Sequence, residues 1–238
     1  MYADLNPFDA LSNRLFAVLP DVDYLRLLPS MEYIDLALGE ILYDSGDEMP
    51  YLYFPTTSVV SLLYTMETGS TAEMGMVGRC GVIGISVFLG GKTTPSQAIV
   101  QIAGGAFRIK SKTIQGEFEH GGPLQQILLR YTQSLITQIS QVAVCNRLHT
   151  FDQRLCRWLL FIHDCLQTDA IILTQAIISQ LLGVRREGVT VAAGRLQDAG
   201  IISYMRGHIQ LLDRRKLEAC ACECYAVVKD EYERLLMF

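Results

Sequence analysis

The period of the apolar positions changes twice along this chain, and the changes divide it. Between residues 31 and 118, short apolar, β-branched or aromatic runs alternate with turn residues. The runs fall at 33–38, 41–43, 51–54, 59–66, 82–89, 98–102 and 106–109, and most stop at Gly39, Gly46, Pro55, Gly69, Gly90 or Gly104. Many short strands at close spacing predict an all-β roll or jelly roll. Residues 5–30 precede it with Leu11, Leu15, Leu19, Leu25 and Leu28, broken at Pro20 and Pro29, which predicts a helical lead-in. After the roll, residues 123–145 contain no glycine and predict one long helix. Leu124, Leu128, Tyr131, Leu135, Gln138, Val142 and Cys145 follow there at 4–3 spacing, the a/d pattern of a coiled-coil seam. The expected role is dimerisation, with Gln138 fixing the register. The competing reading packs the same helix on its own roll.

From residue 150 onward the period is helical again. Thr150 with Gln153 makes a capping box, and Leu155, Trp158, Leu159 and Ile162 line one face of a helix over 150–166. Residues 167–172 read as a link. Thr174 then caps a short helix carrying Ile177, Ile178, Leu181 and Leu182, which Gly183 ends. A second helix runs from about 185 to 199, with Val189, Ala192, Ala193 and Leu196 on its apolar face and Gly200 after it. Ile201 to Tyr204, an Arg206-Gly207 turn and the alternating 208–212 predict a two-stranded hairpin. Two helices about a glycine turn, closed by a hairpin, make a winged helix-turn-helix. Residues 214–236 read as a C-terminal helix or helix pair.

Charge sharpens this picture. The 238 residues carry a net −5, which argues against coating nucleic acid by bulk charge. Residues 1–122 carry −7, whereas 147–216 carry +4, so the basic excess lies on the helix-turn-helix segment. The start lacks the basic flank and apolar core of a signal peptide, and no apolar run is long enough to span a bilayer, so the expected location is cytoplasmic. The seven cysteines, odd in number and irregularly placed, fit reduced thiols rather than a disulfide framework.

A β-roll, a long helix and a C-terminal winged helix-turn-helix, in that order, resemble the Crp/Fnr family of bacterial transcription regulators. The resemblance runs from about Phe8 to Leu217 and is most specific over LTQAIISQLLGVRREGV, with Arg186-Glu187 where the family carries a base-reading Arg-Glu pair. Gly84 in GVIGIS and RLCRWLL before the DNA motif also look like family features. The resemblance implies an α+β chain with a sensor roll and lead-in over 1–122, a dimerisation helix over 123–146, and a winged helix-turn-helix with a C-terminal helix over 147–238. It implies double-stranded DNA and a second copy as partners, with RNA polymerase and a small-molecule effector as further ones. The DNA contacts would come from Thr174, Gln175, Arg185, Arg186, Glu187, Thr190, Val191, Arg206 and His208. The dimer contacts would come from Leu124, Leu128, Tyr131, Leu135, Gln138 and Val142.

Departures from the family pattern narrow the effector. The cyclic-nucleotide binders follow the roll glycine with Glu and later carry an Arg-Ser pair for the phosphate. Here Ile85 follows Gly84, and the segment before Ala98 reads TTPSQ. A buried cyclic phosphate without a cation would be poorly held, so cyclic AMP is not the expected ligand. The iron–sulfur branch uses N-terminal cysteines, and the first here is Cys80. Gly188 and Val191 stand where the family often has Thr or Ser and a further Arg.

Other constellations yield less. Cys220, Cys222 and Cys224, placed on one helix, would point to two sides, so they read as packing thiols, as do Cys156, His163 and Cys165. Gly78-Arg79-Cys80-Gly81 reads as a roll turn, with a lowered thiol pKa at Cys80 as a remote alternative. No cofactor or metal is expected. An enzyme built on a cupin-like roll is ranked last, because no His precedes His120. The alternative to a DNA-binding regulator is a small-molecule sensor acting through protein contacts, with a degenerate helix-turn-helix.

Overall fold

The computed structural model describes residue 6 and residues 8–236. The lead-in comprises α1 (Arg14–Ala17) and α2 (Asp21–Leu27), flanked by 3-10 turns at Ala10–Ser12 and Leu28–Ser30. Its large buried apolar side chains are Leu15, Phe16, Leu19 and Leu27; Leu11, Leu25 and Leu28 of the expected face are exposed. Residues 5 and 7 of the expected lead-in lie outside the described residues.

The roll is built from β1 (Glu32–Leu36), β2 (Ile41–Tyr43), β3 (Tyr51–Pro55), β4 (Val59–Thr65), β5 (Thr71–Val77), β6 (Gln97–Ile102) and β7 (Gly104–Lys110). These form two antiparallel sheets, β1-β7-β3 and β2-β6-β4-β5, whose inner faces share one core with Leu52, Phe54, Val60, Val100 and Ile109 fully buried. The run 82–89, expected as a strand, is not one. Gly84 takes φ 101°, a left-handed conformation that breaks extended pairing, and a 3-10 turn follows over Ile85–Val87. Its apolar residues Val82, Ile83, Val87 and Phe88 still enter the core.

The apolar residues of β4, broken only by Ser61 before Tyr64, lie on both of its faces for a direct cause. Val60 and Leu62 face the roll interior, while Val59 and Leu63 face a second core formed with the C-terminal half. A strand covered on both faces loses the usual alternation.

Next come α3 (Ser111–His120), α4 (Pro123–Leu148) and α5 (Phe151–Leu166), followed by β8 (Ala170–Ile172), α6 (Gln175–Leu181), α7 (Arg186–Asp198), β9 (Ile202–Met205), β10 (His208–Leu211), α8 (Arg214–Cys220) and α9 (Cys224–Leu236). The capping box forms as the sequence predicts, with Thr150 and Gln153 each accepting from the other's backbone N–H. The buried face of α5 is the predicted Leu155, Trp158, Leu159 and Ile162. The hairpin is in fact three-stranded, ordered β8-β10-β9, because the 167–172 link contributes β8.

Helix α4 requires a larger correction. Leu124, Leu128, Tyr131, Leu135, Gln138 and Val142, expected between two protomers, are buried within one. Leu124, Leu128, Tyr131 and Leu135 belong to the roll core, and α4 packs along α9, which leaves the winged helix and returns so that Tyr232 and Leu236 join the same core. Gln138 donates no register to a seam; its Oε1 accepts from the backbone N–H of Met76 on β5. The face of α4 left exposed is Gln126, Leu129, Gln133, Ile136, Ser140, Ala143 and Arg147, a second 3–4 repeat.

Between β4, β5 and α5 lies a buried carboxyl. Glu73 accepts from Trp158 Nε1 at 3.0 Å and from the Ser61 hydroxyl. Burial raises its pKa to about 7, against those two hydrogen bonds and the nearby Arg157, all of which lower it. The unfolded chain would ionise this group in the ordinary carboxylate range. Between that range and pH 7 the folded protein therefore holds a proton that the unfolded one has released, and stability falls as pH rises. A shift of this size is worth on the order of 3 kcal/mol. Glu73→Gln keeps an acceptor for Trp158 and cannot ionise. Denaturation at pH 5, 6, 7 and 8 should show the variant gaining on the parent as pH rises; a constant difference would mean that Glu73 does not titrate in this window.

Candidate nucleic-acid interface

The helix-turn-helix is fixed from below by its core. Val189, Ala192, Ala193 and Leu196 of α7 are buried against Ile178, Leu181 and Leu182, as their spacing predicts. Thr174 Oγ1 accepts from the Ile177 N–H at 3.3 Å and caps α6. Gly183 takes φ 63°, which lets the chain reverse between α6 and α7. Arg154 on α5 donates to the Leu182 carbonyl at 2.6 Å, and Arg195 on α7 pairs with Asp152 on α5 at 2.7 Å. These contacts settle how α7 sits on α5, and sequence periodicity offered no sign of them.

With its inner face held, α7 turns the first two turns of its other face outward. Arg185 is the extended N-cap, and Arg186, Glu187, Thr190 and Val191 are all exposed. Arg186 with Thr190 and Glu187 with Val191 form two i, i+4 rows, so these side chains share one surface. Val191 is 53% exposed on the side away from the core. The Thr190 hydroxyl is shared between Gln175 Oε1 at 2.8 Å and the Arg186 carbonyl at 3.1 Å. Gln175 therefore lies beside α7, and the start of α6 borders the same surface. A Cβ at Gly188 would meet nothing within 4 Å, so packing does not require glycine there.

The wing borders the surface on another side. Met205 pairs with His208 across a two-residue loop, and Arg206 and Gly207 take φ 52° and 83°. Two successive positive φ angles are the type I′ turn that matches strand twist. Arg206 and His208 are exposed on it. Burial raises the pKa of the Tyr204 phenol on β9, and the charge of Arg186 opposes that rise. Tyr204 donates to the Leu173 carbonyl at 2.8 Å, tying β9 to the start of α6. The structure thus brings Gln175, Arg185, Arg186, Glu187, Thr190 and Val191 together, with Arg206 and His208 on the adjoining wing. Thr174 is exposed, but its hydroxyl serves as the cap.

A polar network anchors this part to the last two helices. His163, fully buried, lies 2.8 Å from Asp169 through Nε2, and Arg214 donates to its Nδ1 at 2.6 Å. Arg214 also pairs with Asp164 at 2.7 Å and donates to Tyr225. Cys80 is no activated thiol, because burial pushes its pKa up despite Arg14 and Arg79 nearby. Among the described residues, no helix is long and apolar enough to cross a membrane.

Residues 153–220 match the Crp-like helix-turn-helix domain family. No curated protein matches the sequence. Among solved structures, FixK2 from Bradyrhizobium japonicum superposes with a TM-score of 0.69 at 17% identity, covering 81% of this chain and 98% of its own. The c-di-GMP responsive global regulator CLP from Xanthomonas campestris gives 0.65 at 14%, covering 82% and 100%. A CooA mutant from Carboxydothermus hydrogenoformans gives 0.61 at 14%, covering 92% and 97%.

Proposed function

From a chain that carries a Crp-like helix-turn-helix domain within the fold of the Crp/Fnr transcription regulators, we propose a homodimer that reads a palindromic operator through α7. The observation that carries this reading is the exposed row of Arg185, Arg186, Glu187, Thr190 and Val191 at the start of α7. A recognition helix presents its N-terminal residues to base edges in the major groove. Arg186 is the bidentate partner for guanine, Glu187 the acceptor for a cytosine amino group, and Val191 a contact for a thymine methyl. Arg206 and His208 on the wing meet phosphates. The test is selection from a genomic fragment pool followed by footprinting. Two protected half-sites about one helical turn apart are expected. If no fragment is enriched over bulk DNA, the reading fails, and the chain acts through protein contacts.

The roll is not a cyclic-AMP receptor in this reading. Its interior is filled by side chains such as Leu52, Phe54 and Val100, and neither Ile85 nor the TTPSQ segment supplies a ribose or phosphate partner. Isothermal titration with cyclic AMP is expected to show no binding, and a micromolar dissociation constant would refute this. A place for an effector is a cavity of about 380 Å³ where the roll, α4, α5 and α9 meet. Tyr131, Phe161 and Tyr232 line part of it beside both cations (Arg14, Arg157) and carboxylates (Asp164, Glu233), which favours a partly aromatic molecule with polar groups. A ligand there would touch both the roll and the helices leading to the DNA-binding part, and so could shift the population between DNA-competent and incompetent arrangements.

A further inference from the structure

The C-x-C-x-C run does not lie on one helix. Cys220 ends α8, Cys224 begins α9, and Cys222 sits in the link between them. The link swings Cys222 and Cys224 to the same side, against the end of α4. There Cys145, Cys222 and Cys224 form a buried cluster apart from the two main cores. His149, the C-cap of α4, completes it. All three cysteines are free thiols.

The spacing of the four ligand atoms is that of a coordination shell. Cys145 Sγ and Cys222 Sγ are 3.5 Å apart, as are Cys224 Sγ and His149 Nδ1. All four atoms lie within 4.8 Å of one another. Around a tetrahedral zinc, thiolates at about 2.3 Å and an imidazole at about 2.0 Å stand about 3.8 Å (S to S) and about 3.5 Å (S to N) apart. The histidine is also oriented for ligation. Its Nε2 lies 3.2 Å from the Glu223 carboxylate. Such a partner holds the proton on Nε2 and presents the Nδ1 lone pair to the sulfurs, the usual outer-shell arrangement of a metal-binding histidine.

We propose that Cys145, His149, Cys222 and Cys224 bind one zinc-class divalent ion in a closed, structural Cys3His site. Three thiolates and an imidazole select zinc over the oxygen-seeking magnesium and calcium. Four protein ligands leave no open position for substrate, so the ion acts as a clasp. It fastens the start of α9 to the junction of α4 and α5. Arg154, in the first turn of α5, donates to the Leu182 carbonyl at the helix-turn-helix turn. The clasp therefore sits at the foot of α5, the helix whose first turn contacts the turn ahead of α7. The proposal stands independently of the operator reading, because metal content is measured without DNA.

The test uses the full chain, purified without chelator and analysed by elemental mass spectrometry. About one zinc per chain is expected. After zinc is stripped under reducing conditions, Co²⁺ should restore intense visible bands of a tetrahedral cobalt thiolate. Cys222→Ser and His149→Ala should lose the ion, while Cys220→Ser, altered at an exposed position outside the cluster, should keep it. Glu223→Gln should retain the ion with about tenfold weaker affinity, the low end for an outer-shell partner, since this carboxylate is mostly exposed. Should a ligand variant fail to fold, the cobalt spectrum of the unaltered chain still decides. A chain that takes up no cobalt, or equal metal loss in Cys220→Ser and Cys222→Ser, overturns the site. A broad iron–sulfide absorption in the protein as purified overturns the zinc assignment.

Discussion

Arg186→Ala is expected to abolish most discrimination between operator and scrambled DNA while leaving the fold intact. Arg186 is the first residue of α7, exposed, and no part of the core beneath it. A bidentate arginine–guanine contact discriminates by about 1–3 kcal/mol. A dimer makes the contact twice, so the loss totals about 2–6 kcal/mol if the half-sites add. Arg206→Ala supplies the contrast. If on the wing it meets phosphate, as proposed, its loss should weaken operator and scrambled DNA alike and flatten the salt dependence. The comparison runs each variant against both DNAs at several salt concentrations. Equal loss on both DNAs for Arg186→Ala would make Arg186 a phosphate contact, and base reading would pass to Arg185, Thr190 or DNA shape.

The parts of the molecule legible in the sequence are those fixed by local rules. The caps at Thr150 and Thr174, the glycine reversal at Gly183 and the buried row Val189, Ala192, Ala193 and Leu196 all follow from contacts within a few residues. β5 escaped because, between Thr71 and Val77 at its two ends, it is built from Ala, Glu, Met and Gly, without the branched or aromatic residues that mark a strand. α3 escaped because it buries only Ile114 and carries Gly116 in its interior. The exposed surface of α7 was readable because its opposite face is so clearly core. The cysteine cluster was not, since Cys145 and Cys222 meet across 77 positions and the run 220–224 has no periodicity of its own. Treating it as one helix gave the wrong geometry.

The seam on α4 marks the sharpest limit of periodicity, and it leads to the second large expected effect. A 4–3 apolar row shows that a helix face is covered but not by which chain. In α4 the larger apolar residues cover the protein's own core, and a second row with the same repeat faces outward, with Leu129 46% and Ile136 53% exposed. We propose that this outer row, continued by Ala143 and flanked by Val144 and Leu148, joins two protomers. Leu129→Lys with Ile136→Lys should then place like charges across the helix pair and yield a folded monomer in sedimentation, because exposed substitutions alone cost within about 0.5 kcal/mol. The same exchange at Leu128 and Leu135, 0% and 2% exposed, should unfold the chain, since each would bury an unpaired ammonium. Separating the protomers also removes the second half-site from reach, so operator affinity should fall by about 10²–10⁴-fold. A Leu129→Lys, Ile136→Lys chain that still sediments as a dimer would place the interface elsewhere on the surface.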